Sequence, residues 1–320
     1  MIKKISMIVT AIMLAAPLQA MVAEPGCVRD MYTVQERANH DGKHFTVQME
    51  GPAGDDVTDI ILIPGLSSPR DVWAATNAAH KECVRVHLVQ IRGFGDAAGA
   101  NAEGPVLEPF VRELTAYVAD EIIAKGRRKP AIVGHSLGGL AGLMIAARSP
   151  DIVARLMVVD AVPFIGTIFN AGATVANIRP QAEGMAAMIK AQYGTPKPPE
   201  QTQDPGERTL AGGMTNHAAG RIAVTRWTQQ ADPRVVAQAL LDDMTTDMRP
   251  ELPGIKAPVT LLYAQDDRAM TAAQSTAAFV PQYAGTPNFK AIQITGSYHF
   301  IMLDQPEKFA AELKIFLAAD

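Results

Sequence analysis

Short apolar runs rich in β-branched residues alternate, from Val57 onward, with longer stretches whose apolar positions recur at helical spacing. Residues 60–63, 86–90, 131–133, 156–159, 259–263 and 291–294 read as strands, each continuously apolar, as expected of strands covered on both faces. Between strands, Val111, Leu114, Val118 and Ile122 share one helical face. So do Phe309, Leu313, Phe316 and Leu317, in a helix opened by Pro306. Strand and helix taking turns in this way predicts βαβ units on a mostly parallel sheet. Upstream, residues 31–34 and 45–49, separated by Asn39 and Asp41-Gly42, predict an antiparallel hairpin ahead of the parallel part.

The alternation stops after Asp160. From Pro163 to Lys256 come helical stretches rich in Ala and Met, interrupted by the Pro-rich residues 195–199 and by Asp204-Pro205-Gly206, before a strand resumes at Val259. Residues 163–256 are therefore expected to form a helical lid inserted into a core made of residues 21–162 and 257–320. Phe164, Ile168, Phe169, Met185, Met188, Trp227 and Met244 are apolar enough to line a cavity, although such residues more often form a lid's own core.

Composition narrows the class. Of 320 residues, 48% are hydrophobic and 19% charged, enough apolar material for a large core and too much for wholesale disorder. The formal net charge is −4 and there is no basic run, so the electrostatic footprint of a nucleic-acid partner is missing. Residues 1–20 have a secretory pattern: Lys3 and Lys4 precede an apolar run that ends near Ala16. Cleavage is expected after Ala20, with Ala23 as second choice, giving a secreted or periplasmic product. The run falls short of the roughly 20 residues a membrane span needs, and no later segment offers one. Export makes the cysteines informative: Cys27 and Cys83 either form a bridge or remain two separate thiols.

The chemistry-bearing segment follows the strand at Ala131. Gly134-His135-Ser136-Leu137-Gly138 is a G-x-S-x-G sequence with a strand before it and a helical pattern after it. A serine held on so sharp a turn needs neighbours without Cβ two places to either side, and Gly134 and Gly138 supply them. A hydroxyl also needs a base, and the base an orienting acid. Asp266-Asp267-Arg268 lies just past the strand at 259–263, and His299 just past the strand at 291–294, so Ser, Asp and His occur in that chain order.

Taken with Pro64-Gly65-Leu66, Arg92-Gly93-Phe94-Gly95 and Gln305-Pro306-Glu307, these segments make the chain resemble the α/β-hydrolase family from about Asp59 to its C-terminus. The resemblance implies an α/β-hydrolase fold with a helical cap. It makes Ser136 the nucleophile, His299 the general base and Asp267 the acid, with the backbone N–H groups of Leu66 and Leu137 as the oxyanion hole. Asp266 and Asp160 remain alternatives for the acid, Asp160 because some relatives carry a carboxylate after that strand. Pro64 stands where many relatives have histidine, a departure that leaves a backbone contribution from Leu66 intact.

The activity implied is hydrolysis of a small or medium carboxylic ester through an acyl-enzyme. A lactonase, an amidase or iminopeptidase, and a carbon–carbon bond hydrolase would use the same triad, and a non-catalytic binder could keep the same scaffold. No cofactor or metal is expected: there is no GK[ST] phosphate loop and no HExxH. Among the other histidines, His135 is assigned to packing behind the sheet. His40, His44, His80 and His87 lack any metal-like pairing with a carboxylate or thiol and are placed at the surface or in the core, and His217 alone is kept open as a substrate contact.

Overall fold

A computed structural model describes residues 34–318. The expected leader, its cleavage sites and Cys27 lie outside the described residues; Cys83 is disulfide-bonded.

Eight strands form one sheet: β1 (Gln35–Asp41), β2 (Phe45–Pro52), β3 (Asp59–Ile63), β4 (Arg85–Ile91), β5 (Ala131–His135), β6 (Arg155–Val159), β7 (Val259–Gln265) and β8 (Phe289–Thr295). Their spatial order is β1-β2-β4-β3-β5-β6-β7-β8. β1 and β2 pair antiparallel, β2 runs antiparallel to β4, and every later pairing is parallel. The helices are α1 (Ala74–His80), α2 (Leu107–Tyr117), α3 (Leu137–Arg148), α4 (Gly166–Phe169), α5 (Val175–Lys190), α6 (Ala218–Gln230), α7 (Pro233–Thr245), α8 (Ala272–Phe279), α9 (Ile301–Asp304) and α10 (Pro306–Ala318).

Continuous apolar strands serve two cores at once, because successive side chains point to opposite faces. Ile61, Ile63, Ile132, Leu156, Val158 and Leu261 pack on one face with α2 and α3. Their neighbours Ile60, Leu62, Val133, Met157, Val159 and Leu262 pack on the other with Trp73 and α10. Each such side chain, fully buried, contributes about 1.5–3 kcal/mol.

The N-terminal hairpin departs from expectation. Its first described strand is Gln35–Asp41, pairing from Gln35 with Pro52 to Asp41 with Thr46, while residues 31–33 of the expected strand lie outside the described residues. β1 is polar throughout and mostly exposed, so its hydropathy carries no strand signal. An edge strand needs only backbone pairing on one side, and the Glu113 carboxylate reinforces the turn by accepting from Lys43 N at 2.7 Å and His44 N at 2.8 Å.

His87 lies in the core, as expected, and pairs there with a carboxylate. It is buried at the start of β4, where Nε2–H donates to Asp59 Oδ1 (2.7 Å) and Nδ1 accepts from the Tyr117 hydroxyl (2.8 Å). Burial pushes its pKa down, so the neutral ring fits this role. Asp59 also accepts from the buried Arg85 guanidinium. The network sits at the amino ends of β3 and β4, away from the edge where Ser136 stands.

Between β6 and β7 the described chain holds only helices, α4 to α7, and loops. α7 is fastened to the core at several points. Asp232 N donates to Gly93 O at 2.7 Å, and the Asp242 carboxylate accepts from Val106 N (2.7 Å) and Leu107 N (2.9 Å) at the start of α2. Just beyond α7, Met248 N donates to Pro163 O at 2.9 Å.

Candidate active site

β5 delivers Ser136 into a turn that few sequences can make. Ser136 has φ 53° and ψ −123°, left-handed backbone that a residue with a side chain adopts only under constraint. The constraint is visible on both sides. A Cβ on Gly134 would lie 2.1 Å from Gly138 O, and one on Gly138 would lie 2.4 Å from Ile63 O, so both positions require glycine. Ser136 N donates to Val159 O at 3.0 Å, tying the turn to β6, and α3 begins at once with Leu137.

The loop after β3 comes up against this turn. A Cβ on Gly65 would stand 2.9 Å from Ser136 Cβ. The loop is folded by Ser67 at φ 59° and by Ser68 N donating to Gly65 O at 3.1 Å. Among the described residues, no backbone carbonyl accepts from Leu66 N or from Leu137 N, the first amide of α3. Two unspent N–H groups therefore flank Ser136, as stabilising an oxyanion requires.

His299 is carried by the turn between β8 and α9. Its Nδ1 is 2.7 Å from Asp160 Oδ2. A carboxylate can only accept, so Nδ1 bears the proton and Nε2 is left as the basic nitrogen. The ring packs on His135, the residue before Ser136, with centroids 4.5 Å apart. Ser136 and His299 are thus on the same side of the molecule, although no described residue accepts a hydrogen bond from the Ser136 hydroxyl. The His299 turn is itself held by Asp304, which accepts from Tyr298 N (2.8 Å), Asn216 N (3.1 Å) and the Thr215 hydroxyl (2.5 Å).

Asp160, not Asp267, is therefore the carboxylate on the imidazole. It follows β6 directly, with φ 48°, a conformation aspartate tolerates better than most residues. Its N–H donates to Leu262 O at 2.7 Å, while Oδ1 accepts from Ala264 N at 2.7 Å. One oxygen is thus pinned by β7 and the other aimed at His299. The Tyr283 hydroxyl donates to Ala161 O at 2.9 Å, bracing the same turn.

The two expected acids are occupied elsewhere. Asp267 accepts from Gln265 Nε2 at 2.7 Å. Asp266 closes its own turn through Ala269 N and Met270 N and is paired with Arg268 at 2.7 Å; that bond holds its pKa down at about 2. Their loop folds back on itself instead of reaching the imidazole.

Two histidine expectations also change. His135 is not behind the sheet but fully buried beside His299, and its Nε2–H donates to His299 O at 3.0 Å. Burial pushes its pKa well down and the nearby His299 adds to this, so it stays neutral. Sequence adjacency to Ser136 was its only signal. His217 is spent as the N-cap of α6: Nδ1 accepts from Gly220 N (2.8 Å) and Nε2–H donates to Leu303 O (2.9 Å), so neither nitrogen is left for a substrate. Among the residues expected to line a lid cavity, Phe164 and Met244 are buried together, whereas Ile168, Phe169 and Met188 are exposed.

No helix of the described residues is long and apolar enough to cross a membrane, and no cluster of three metal-ligating side chains occurs among them. The arrangement offers a hydroxyl on a strained turn, a base with an oriented tautomer on the same side of the molecule, and two free amides, which together suit acyl transfer.

Residues 60–312 match the model of an alpha/beta hydrolase family. A protein of Cronobacter turicensis carrying the name carbamate hydrolase RutD is 26% identical over 260 residues, 81% of this chain and 91% of that protein. A pimeloyl-[acyl-carrier protein] methyl ester esterase of Vibrio campbellii is 30% identical over 105 residues, 33% of this chain and 37% of its own length. Among solved structures, an enol-lactonase from Burkholderia xenovorans superposes with a TM-score of 0.61 at 20% identity, covering 86% of this chain and 96% of that one.

Proposed function

The chain belongs to the α/β-hydrolase family, and from that premise we propose that it is an exported serine hydrolase acting on a small or medium carboxylic ester through an acyl-enzyme. The observation that carries the reading is the 2.7 Å bond from His299 Nδ1–H to Asp160, which leaves Nε2 free beside the Ser136 turn. Ser136 Oγ attacks the carbonyl carbon while His299 Nε2 takes its proton. The carbonyl oxygen, now an anion, is held by the N–H groups of Leu66 and Leu137, each such donor lowering the barrier by roughly 3–4 kcal/mol. The imidazolium returns its proton to the departing alkoxide as the carbon–oxygen bond breaks. Water, deprotonated by His299, then attacks the acyl-enzyme and releases the acid. Asp160 keeps the imidazole in the productive tautomer and stabilises its charge. Residues 163–256 act as the lid over this site, and a small-molecule ester is the only partner the mechanism needs.

Two features support export. Residues 1–20 carry the secretory pattern, and Cys83 is in a disulfide, a bond that persists in oxidising compartments. N-terminal sequencing of the protein recovered from outside the cytoplasm should begin at Met21; a chain retained in the cytoplasm with Met1 intact overturns this part.

The enzymatic reading is tested with a fluorophosphonate probe and a panel of short-chain aryl esters. The label is expected on the peptide containing Ser136, and Ser136→Ala is expected to lower ester turnover by about 10⁴–10⁶-fold. Full turnover in Ser136→Ala, or label on another residue, removes Ser136 as nucleophile.

A further inference from the structure

One carboxyl group in this region has no task in the mechanism. Asp243, on α7, is 6% exposed, and no described residue hydrogen-bonds to its side chain. Its neighbour Asp242 is fully engaged, accepting from Val106 N, Leu107 N and Gln238 Nε2, so the two adjacent aspartates differ in kind. Helical spacing sets Asp243 in line with Val236 and Ala239 on the inward face of α7. α7 runs from the loop after β4, where Asp232 N donates to Gly93 O, toward the segment after β6, where Met248 N donates to Pro163 O, so it crosses the carboxyl ends of β3 and β5, which lie between β4 and β6 in the sheet. Leu66, Ser136 and Asp160 follow β3, β5 and β6 at that same edge. α7 cannot easily withdraw the group, being fastened to the core by Asp232 and Asp242. The ionisable groups that act on Asp243 are His299 and Asp242, neither hydrogen-bonded to it.

The carboxyl oxygens keep some accessible surface, and a ligand that covers them without offering a hydrogen bond leaves them desolvated and unpaired. We propose that Asp243 is a substrate-recognition residue: its carboxyl accepts a hydrogen bond from an N–H or O–H carried by the substrate close to the scissile bond. The substrate class is then an ester bearing an amide, amine or hydroxyl donor rather than a plain alkyl ester. A donor is the complement on chemical grounds. An ionised carboxylate can only accept, and a protonated one keeps an acceptor oxygen, so a substrate donor is served in either state. A site built around such a bond rejects an analogue lacking the donor, because binding it buries the carboxyl unpaired.

The inference rests on the serine-hydrolase reading of the same site, and the test separates the two. Two matched pairs differ only by N–H against CH₂: p-nitrophenyl N-acetylglycinate with p-nitrophenyl 4-oxopentanoate on the acyl side, and 2-acetamidoethyl acetate with 4-oxopentyl acetate on the alcohol side. The readout is the donor-to-methylene ratio of kcat/KM in wild type divided by that in Asp243→Leu, which cancels intrinsic reactivity. We expect this quotient to be at least about tenfold in one pair, with Asp243→Asn, which keeps one acceptor, falling between. If Asp243→Leu does not fold, Asp243→Asn alone should still lower the ratio about threefold. A quotient near one in both pairs overturns the proposal, including the case in which both substrates lose rate equally, which would assign Asp243 to the charge of His299 instead. Fluorophosphonate labelling of Ser136 without turnover of any of the four esters also overturns it. Failure of labelling and turnover together would sink the serine-hydrolase reading first.

Discussion

Two acidic turns stand at the carboxyl edge of adjacent strands, and only one serves the imidazole. Asp160 after β6 has a carboxylate with both oxygens assigned across chain-distant partners, one to the β7 backbone and one to His299. Asp266-Asp267-Arg268 after β7 spends its acids mostly within a few residues, on Arg268, Gln265 and its own turn amides, with Asn216 as a distant partner of Asp266. The first turn is organised by the sheet and the second by itself. A carboxylate satisfied locally has no oriented oxygen to offer a histidine from another loop, whatever its place in the chain order. Asp243 supplies a third case, a carboxyl buried like Asp160 yet bonded to nothing.

The sharpest test of that contrast is Asp160→Asn against Asp267→Asn. The amide at 160 offers His299 a donor or a weaker acceptor in place of the carboxylate and favours the wrong tautomer, so kcat should fall by about 10³–10⁴. Asp267→Asn should change it by less than about threefold. Equal losses, or the reverse ranking, would return the acid role to the β7 turn.

Next in size is the difference between a partnered and an unpartnered buried carboxyl. Burial pushes the Asp243 pKa up to about 7, His299 opposing and Asp242 adding to the shift. A folded pKa above the ordinary value of 3.8 means that the group's contribution is fully present below about pH 4 and is lost as pH rises to about 7. Asp243→Asn should therefore be more stable than wild type, by a margin growing about 1.4 kcal/mol per pH unit over that window and flat above it. Denaturant titrations at pH 5, 6, 7 and 8 measure it. A margin independent of pH would mean the folded carboxyl titrates normally.

Smaller effects come from the braces. Tyr283→Phe removes the hydroxyl that donates to Ala161 O next to Asp160, leaving a buried carbonyl with one partner fewer. A loss of about 1 kcal/mol in stability and a fall in kcat of a few fold are expected. Arg268→Ala, breaking an ion pair whose arginine is exposed in the β7 turn, should leave stability nearly unchanged and kcat alone. If Arg268→Ala proved the more damaging of the two for kcat, the β7 turn would matter to the reaction after all.

Much of the fold was legible because its signals are local. The strands from β3 to β7 are apolar runs, and their two-faced burial is what continuous hydrophobicity implies. The Ser136 turn was readable for the same reason: Gly134 and Gly138 are demanded by atoms a few residues away, or by the neighbouring strand end at Ile63. The stretch Gln35–Asp41 carries no strand signal because an exposed, polar edge strand is held by backbone bonds that side-chain pattern does not report. His135 gave no sign of its contact with His299, since nothing in the sequence joins residues that meet only when β5 and the turn after β8 come side by side.

By itself, then, the chain's order of residues determined the strand–helix rhythm, the strained serine and the histidine that follows the last strand, each governed by sterics and polarity within a short stretch. Which aspartate meets that histidine, and that Asp243 turns inward without a partner while Asp242 does not, was decided only by tertiary structure. Several carboxylates satisfy one linear pattern equally well. Hydrogen-bond direction and burial depend on where β6, β7 and α7 lie relative to one another, which is a property of the assembled sheet.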